Sequence, residues 1–349
     1  MKIKFYSVDS SKIAIKRPKI LDEAIGEISR DSVLFVDSNV DDIYNISALG
    51  FRNIILPAGE RAKSLNQLER NILFLKNCSA DRLTPIVAIG GGAVCDSAAF
   101  AASVYKRGAP LTLVPTTLVA QADAALGGKT ALNFDGAKNL VGTFYQPKSI
   151  VLLPGFLSSL PEERYREGLA ECVKTALVAS PLLFAEIRKS AREFTKMNAA
   201  LNARLVSQCA NIKMRIVAKD PFDRGLRRIL NFGHTFGHAV ESISKISHGF
   251  AVAIGMTFSL LFAEKHGLMK TEQVNDILDL FRELKLPIKR PEIDPADIFD
   301  KIINDKKIAS GKLSFITLGK AGNPVIVGIS ISKFKASLYD LYVAWENRI

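Results

Sequence analysis

The chain has 349 residues, 48% hydrophobic and 23% charged, and its 47 Lys and Arg against 35 Asp and Glu give a formal charge of +12. That length predicts two domains, and the composition is that of a folded globular protein. No apolar run reaches the roughly 20 residues that cross a bilayer. The bases are spread without a like-charge block, which argues against nucleic acid and for a small anionic partner.

In chain order, "MKIKFYSVDS" reads as a first strand and lacks the apolar core of a signal peptide, so a cytoplasmic protein is expected. The segments "SVLFVDSNV" (32–40), "RNIILPAGE" (52–60), "TPIVAIGGG" (84–92) and "APLTLVPTT" (109–117) predict buried strands ending in polar or glycine turns. Helical periods at 64–77 and 93–108 lie between them. This alternation predicts a parallel, helix-covered sheet that binds ligands at the carboxyl ends of its strands. After "SIVLLPGFLSSLPEERY" the rhythm changes. Residues 162–219, broken by Pro181, and 226–245, 248–266, 271–285 and 295–304 read as helices. Only 312–319 and 323–330 look extended, as a late hairpin. The boundary falls near residue 160, giving an α/β domain at 1–160 and a mainly α-helical domain at 161–349. Cys78, Cys95, Cys172 and Cys209 are scattered without a C-x-x-C pair and read as free thiols.

Three stretches carry candidate chemistry. "IVAIGGGAVCD" is a strand, three glycines and a helix start, which suits a pyrophosphate, although it is not the G-x-G-x-x-G fingerprint. Asp37 ends an earlier strand, where an acid accepts hydrogen bonds from a ribose hydroxyl. Residues 118–147 set Asp123, Lys129, Asn133, Lys138 and Asn139 among glycines, as an anion site or as a solvated surface loop. Finally, three of the four histidines, His234, His238 and His248, fall within fifteen residues. His234 and His238 share a helix face and suit one metal. His248 and Glu171, an acid amid apolar residues, are the further candidate ligands. The alternative is a set of packed helix histidines.

"GGGAVCD", "VPTTLVAQADAALGGKTALN", "AKNLVGTFYQP", "GLAECVK" and "LNFGHTFGHAVE…HGFAVAIGM" together resemble the 3-dehydroquinate synthase family, in order, over about residues 35 to 320. The resemblance implies a Rossmann-like NAD-binding domain, a helical metal- and substrate-binding domain and one divalent metal, zinc or cobalt. On it, Glu171, His234 and His248 match metal ligands, and His238 matches a substrate-facing group instead. Asp37, Asn39, Glu60, Lys63 and Asp96 match NAD contacts, as do Gly91, Gly92, Thr116, Thr117 and Lys138. Lys129, Lys174, Lys213, Arg227 and Asn231 match, with His238, the catalytic set. Asp123 and Asn139 match substrate contacts. Arg107 matches an arginine that reaches the neighbouring subunit's substrate phosphate, which implies a homodimer. Lys306 or Lys307 matches one further basic residue.

The implied activity is transient NAD-dependent oxidation of a phosphorylated sugar acid, followed by phosphate elimination, reduction and aldol closure. Other sugar-phosphate cyclases, and polyol dehydrogenases of the same outline, are the alternatives. The chain departs from the family at Phe250, which stands where an acid is usual, at "AAF" after Asp96, and at Asp223 in place of a glutamate. If an acid at 250 orients a metal ligand, its loss weakens metal binding or alters the metal used.

Overall fold

The computed structural model describes residues 1–305 and 311–349; Lys306 and Lys307 lie outside the described residues. Strands β1 (Lys2–Val8), β2 (Ser11–Arg17), β3 (Val33–Asp37), β4 (Arg52–Leu56), β5 (Ile86–Gly90) and β6 (Leu111–Pro115) belong to one sheet. A small hairpin, β7 (Leu132–Phe134) and β8 (Ala137–Val141), precedes β9 (Ser149–Val151), which rejoins the main sheet. The strand order is β1-β2-β9-β6-β5-β3-β4, parallel throughout except for the β1–β2 hairpin. The four strands expected to be buried are all present, but β4 is an edge strand and only its Leu56 is buried. β3 and β5 are buried at every residue, as strands covered on both faces must be. Val36, Ile89, Val114 and Phe156 belong to the apolar cluster beneath them.

Contacts divide the chain into two compact units, Met1–Pro161 with Asn202–Asp223, and Glu162–Leu201 with Arg224–Ile349. The first change of unit lies next to the expected boundary at 160. Asn202–Asp223, however, groups with the first unit instead of the second half. The reason is polar anchoring: Tyr6 and Arg17 donate to Asn211 Oδ1 at 2.5 and 3.1 Å, and Lys213 is ion-paired with Asp123.

The second unit is mainly helical. Pro181 separates helices Glu162–Ala179 and Pro181–Lys189, with the Ser180 hydroxyl capping the second. The expected helix at 226–245 is instead two pieces, a 3₁₀ turn Leu226–Asn231 and an α-helix His234–Ser244, because Gly233 takes a left-handed φ of 80°. Helices His248–Lys265, Thr271–Glu283 and Pro295–Asp305 follow. The expected late hairpin is β10 (Lys312–Lys320) paired antiparallel with β11 (Asn323–Ser330). A final helix, Ile331–Arg348, packs Phe334, Leu338 and Trp345 against Phe236, Phe258 and Phe315.

The helices that carry the histidines approach more closely than side chains allow. A Cβ on Gly255 would collide with the Gly233 carbonyl oxygen and lie 2.7 Å from the Gly237 nitrogen. A Cβ on Gly249 would strike the backbone of Glu167, one turn before Glu171. We expect Gly255→Ala to lower stability by about 1–3 kcal/mol, the usual penalty for overpacking. Gly26→Ala, with open space around its new methyl, should stay within about 0.5 kcal/mol of the parent. Thermal unfolding of the two variants checks the pair; an unchanged midpoint for Gly255→Ala would contradict the packing argument.

Candidate functional site

In the first unit, the chain turns from β3 outward to β4 and then returns to β5 on the other side of β3. The carboxyl ends of β3 and β5 therefore flank the point where strand order reverses, which is where open α/β sheets bind ligands. Asp37 ends β3 and Gly91–Gly92 follow β5. Asp37 is buried and accepts from the backbone N–H groups of Asn39 and Gly91, and burial raises its pKa above the ordinary carboxylate value. Gly91 precedes the 13-residue helix Gly92–Val104. A Cβ on Gly91 would sit 3.2 Å from Thr117 Cγ2, and one on Gly92 3.3 Å from Ala124 Cβ. That leaves a bare backbone cradle at a helix N-terminus, which suits a pyrophosphate.

Lys63 is buried, 2.7 Å from Asp96 Oδ2 and hydrogen-bonded to Asn139 Oδ1. Burial raises the Asp96 pKa, opposed by the Lys63 charge. Thr116 is buried and its N–H donates to the Gly90 carbonyl, while the Thr117 hydroxyl accepts from Ala120 N–H. Glu60 accepts from Asn133 at 2.7 Å. Asn39 and Lys138 are exposed, and Asn139 has a left-handed φ of 57°.

The expected substrate residues of this unit include two lysines held by acids. Lys129 Nζ is 2.5 Å from Asp223 Oδ2, and Lys213 donates to both the carboxylate and, at 2.6 Å, the carbonyl of Asp123. Asp223 is thus a lysine partner. Arg107 is exposed and, with Lys106, occupies left-handed backbone at φ 65° and 47° just before β6.

In the second unit, one carboxylate gathers the chemistry. Glu171 is 1% exposed, on helix Glu162–Ala179. Its Oε1 lies 3.2 Å from His248 Nε2 and 3.8 Å from His234 Nε2, and its Oε2 lies 2.5 Å from Lys174 Nζ. Burial pushes the Glu171 pKa up, but the Lys174 charge and the His248 hydrogen bond hold it well below the ordinary value. His234 Nδ1 lies 3.2 Å from the Phe232 carbonyl, and His248 Nδ1 lies 2.9 Å from Glu241 Oε2. Nδ1 of each ring is thus engaged, and both Nε2 atoms turn toward Glu171 Oε1. Two imidazoles and one carboxylate presented in this way fit zinc or cobalt.

His238 is not set apart by distance. The ligand atoms of His234, His238 and His248 all lie within 4.8 Å of one another. Geometry therefore brings together all four residues that spacing raised, and the role of His238 is a matter of chemistry. Arg227 is buried and Asn231 half-buried, both on the 3₁₀ turn that leads into the His234 helix. Sequence reasoning missed Glu241. Its signal was present, because Glu241 stands seven residues after His234 and three after His238, on the same helix face.

Residues 53–167 match the N-terminal 3-dehydroquinate synthase domain, and residues 168–308 match its C-terminal domain. The curated 3-dehydroquinate synthase of Dehalococcoides mccartyi is 42% identical over 273 residues, 78% of this chain and 76% of its own. The chain belongs to the 3-dehydroquinate synthase family. Among solved structures, a 2-deoxy-scyllo-inosose synthase complexed with carbaglucose-6-phosphate, NAD+ and Co2+ superposes with a TM-score of 0.87. It is 26% identical, over 97% of this chain and 100% of that one. The 2-epi-5-epi-valiolone synthase ValA of Streptomyces hygroscopicus, with NAD+ and Zn2+ bound, gives 0.84 at 25% identity, over 98% of each chain. The family's cyclase fold thus extends over nearly the whole chain.

Opposed effects set the histidine charges. Burial and the Lys174 charge lower the His234 pKa well below its ordinary value, so this ring stays neutral. Burial also acts to lower His248, but hydrogen bonds to Glu171 and Glu241 raise it to about 9. In the metal-free protein His248 therefore adds stability that is complete below about pH 6.5 and is lost as pH rises to about 9. Metal needs a neutral ring, so loading at pH 7.5 should release about one proton per ion from His248, and release should vanish well above pH 9. Calorimetry in buffers of different ionisation enthalpy checks this; proton uptake at pH 7.5 would contradict it.

Proposed function

We propose that the chain is a 3-dehydroquinate synthase. It converts 3-deoxy-D-arabino-heptulosonate 7-phosphate to 3-dehydroquinate and phosphate by transient oxidation, phosphate elimination, reduction and intramolecular aldol closure. The observation that carries this reading is the convergence of Glu171, His234 and His248 on one point, in a chain whose family match runs from residue 53 to 308. When bound, NAD supplies a hydride acceptor that is regenerated in each turnover, and a divalent ion, zinc or cobalt, supplies Lewis acidity.

The chain's own residues bind, orient and move protons. Glu171, His234 and His248 hold the ion. Asp37, Asn39, Glu60, Lys63 and Asp96 hold NAD, with the glycine cradle at Gly91–Gly92, Thr116, Thr117 and Lys138. Lys129, Lys213 and Arg227 offer positive charge to a substrate bearing a phosphate and a carboxylate, and Asp123, Asn139 and Asn231 orient its hydroxyls. Lys174 keeps Glu171 ionised and faces the substrate. His238 hydrogen-bonds the substrate and moves a proton at its ring nitrogen, the work of a general acid–base group. The leaving phosphate is a second base.

Arg107 supports a homodimer, in which it reaches the phosphate bound by the partner. No helix among the described residues is long and apolar enough to cross a membrane, and we assign the protein to the cytoplasm. Another sugar-phosphate cyclase is the second reading, favoured by the likeness to the inosose and valiolone synthases. Identity separates the two, at 42% to a dehydroquinate synthase against 26% and 25% to those neighbours.

The deciding experiment supplies the heptulosonate phosphate with a divalent metal and a small amount of NAD+. Phosphate and dehydroquinate should form one to one, far beyond the NAD+ added, while free NADH stays near baseline. NADH accumulating in step with product would identify a polyol dehydrogenase. An untouched substrate, with phosphate released from another sugar phosphate, would identify a different cyclase.

A further inference from the structure

The usual family acid two residues after His248 is Phe250 here, and the structure shows what that side chain meets and which carboxylate meets His248. The Arg166 guanidinium lies 5.8 Å from the centre of the Phe250 ring, a cation–π arrangement. Residues two apart on a helix do not face each other. His248 opens helix His248–Lys265, so a side chain at 250 leaves on a different face from the imidazole. The carboxylate that meets His248 comes from the preceding helix. Glu241 Oε2 is 2.9 Å from His248 Nδ1, and the Glu241 side chain is only 11% exposed. On the opposite side of the same ring, Nε2 is 3.2 Å from Glu171 Oε1.

We infer that Glu241 is the positioning residue for His248, fixing its proton on Nδ1 and aiming Nε2 at the metal point, and that Phe250 takes no part in holding the ion. This rests on the reading of Glu171, His234 and His248 as ligands. A carboxylate behind a ligating imidazole fixes ring orientation and tautomer and makes the far nitrogen a better donor. The two ligating rings are then held differently. His234 is backed by a neutral carbonyl, that of Phe232, and His248 by a charged carboxylate. One helix face thus serves both, since Glu241 follows His234 by two turns on the helix that begins at His234.

The test is cobalt affinity of the full chain, measured by competition with a chelator and followed by the visible absorption of bound Co2+. Glu241→Ala should weaken binding about 10–100-fold, the usual effect of removing such a partner. Glu241→Gln, of the same shape, accepts the hydrogen bond without the charge and should fall between parent and Glu241→Ala. Glu241→Asp should recover part of the loss, and Phe250→Glu should stay within about twofold of the parent, well short of an orienting partner's effect. In the zinc-loaded protein, ¹⁵N spectra should show the Nδ1 proton of His248 slowly exchanging in the parent and fast in Glu241→Ala.

Parent-like affinity in both Glu241→Gln and Glu241→Ala would overturn the inference, as would tightening of tenfold or more in Phe250→Glu. The underlying ligand reading fails by a different result, undiminished cobalt binding in His248→Ala. Should Glu241→Ala fail to fold, Glu241→Gln carries the same decision, with NAD binding as the check that the chain is intact.

Discussion

A carboxylate removed from water must be compensated, and in this protein that single requirement organises the second unit. Glu171 is buried beside Lys174, His234 and His248. An isolated charge there would be expelled or neutralised. It is kept because a cation from its own helix and a hydrogen-bonding ring, His248, from another converge on it, with His234 Nε2 3.8 Å away. The convergence needs helices nearly in backbone contact, and Gly249 and Gly255 are the residues that allow it. Packing and chemistry are thus one constraint. The side chains absent from the helix interfaces permit the side chains present at the site.

On the proposed function, the first unit faces a different problem, holding an anionic cofactor without burying many cations. Its solution is mainly backbone. The strand order reverses between β3 and β5, the glycine turn after β5 exposes its N–H groups at a helix start, and Asp37 braces that turn from the neighbouring strand. The lysines expected at the substrate stand paired with acids, Lys129 with Asp223 and Lys213 with Asp123. On the proposed function, an anionic substrate would compete with those carboxylates for the same ammonium groups.

Much of the fold is legible in the sequence because burial leaves a pattern. Strands β3, β5 and β6 are short apolar runs with turn signals at both ends, and no other element explains them. β2, "SKIAIKR", is harder, since its lysines resemble a surface loop and its pairing with β1 and β9 is what makes it a strand. Asn202–Asp223 reads as part of the helical half, and the hydrogen bonds of Asn211 to Tyr6 and Arg17, which draw it to the first unit, are long-range contacts no local period reports. At the site, spacing proposes His234 with His238, whereas the Nε2 atoms facing Glu171 Oε1 at 3.8 and 3.2 Å belong to His234 and His248. Which ring turns where depends on what backs it, the Phe232 carbonyl or Glu241, and that is tertiary information.

The central claim is that the ion is held by one carboxylate and two imidazoles, with His238 reserved for substrate. The three imidazoles are close enough to make the opposite arrangement geometrically possible. X-ray absorption fine structure of the zinc-loaded chain, compared with its His238→Ala variant, addresses this directly, because imidazoles give outer-shell scattering that carboxylates do not. The account predicts two imidazoles and one carboxylate oxygen from the protein, with the same spectrum in His238→Ala. A shell of three imidazoles that falls to two in His238→Ala would contradict it.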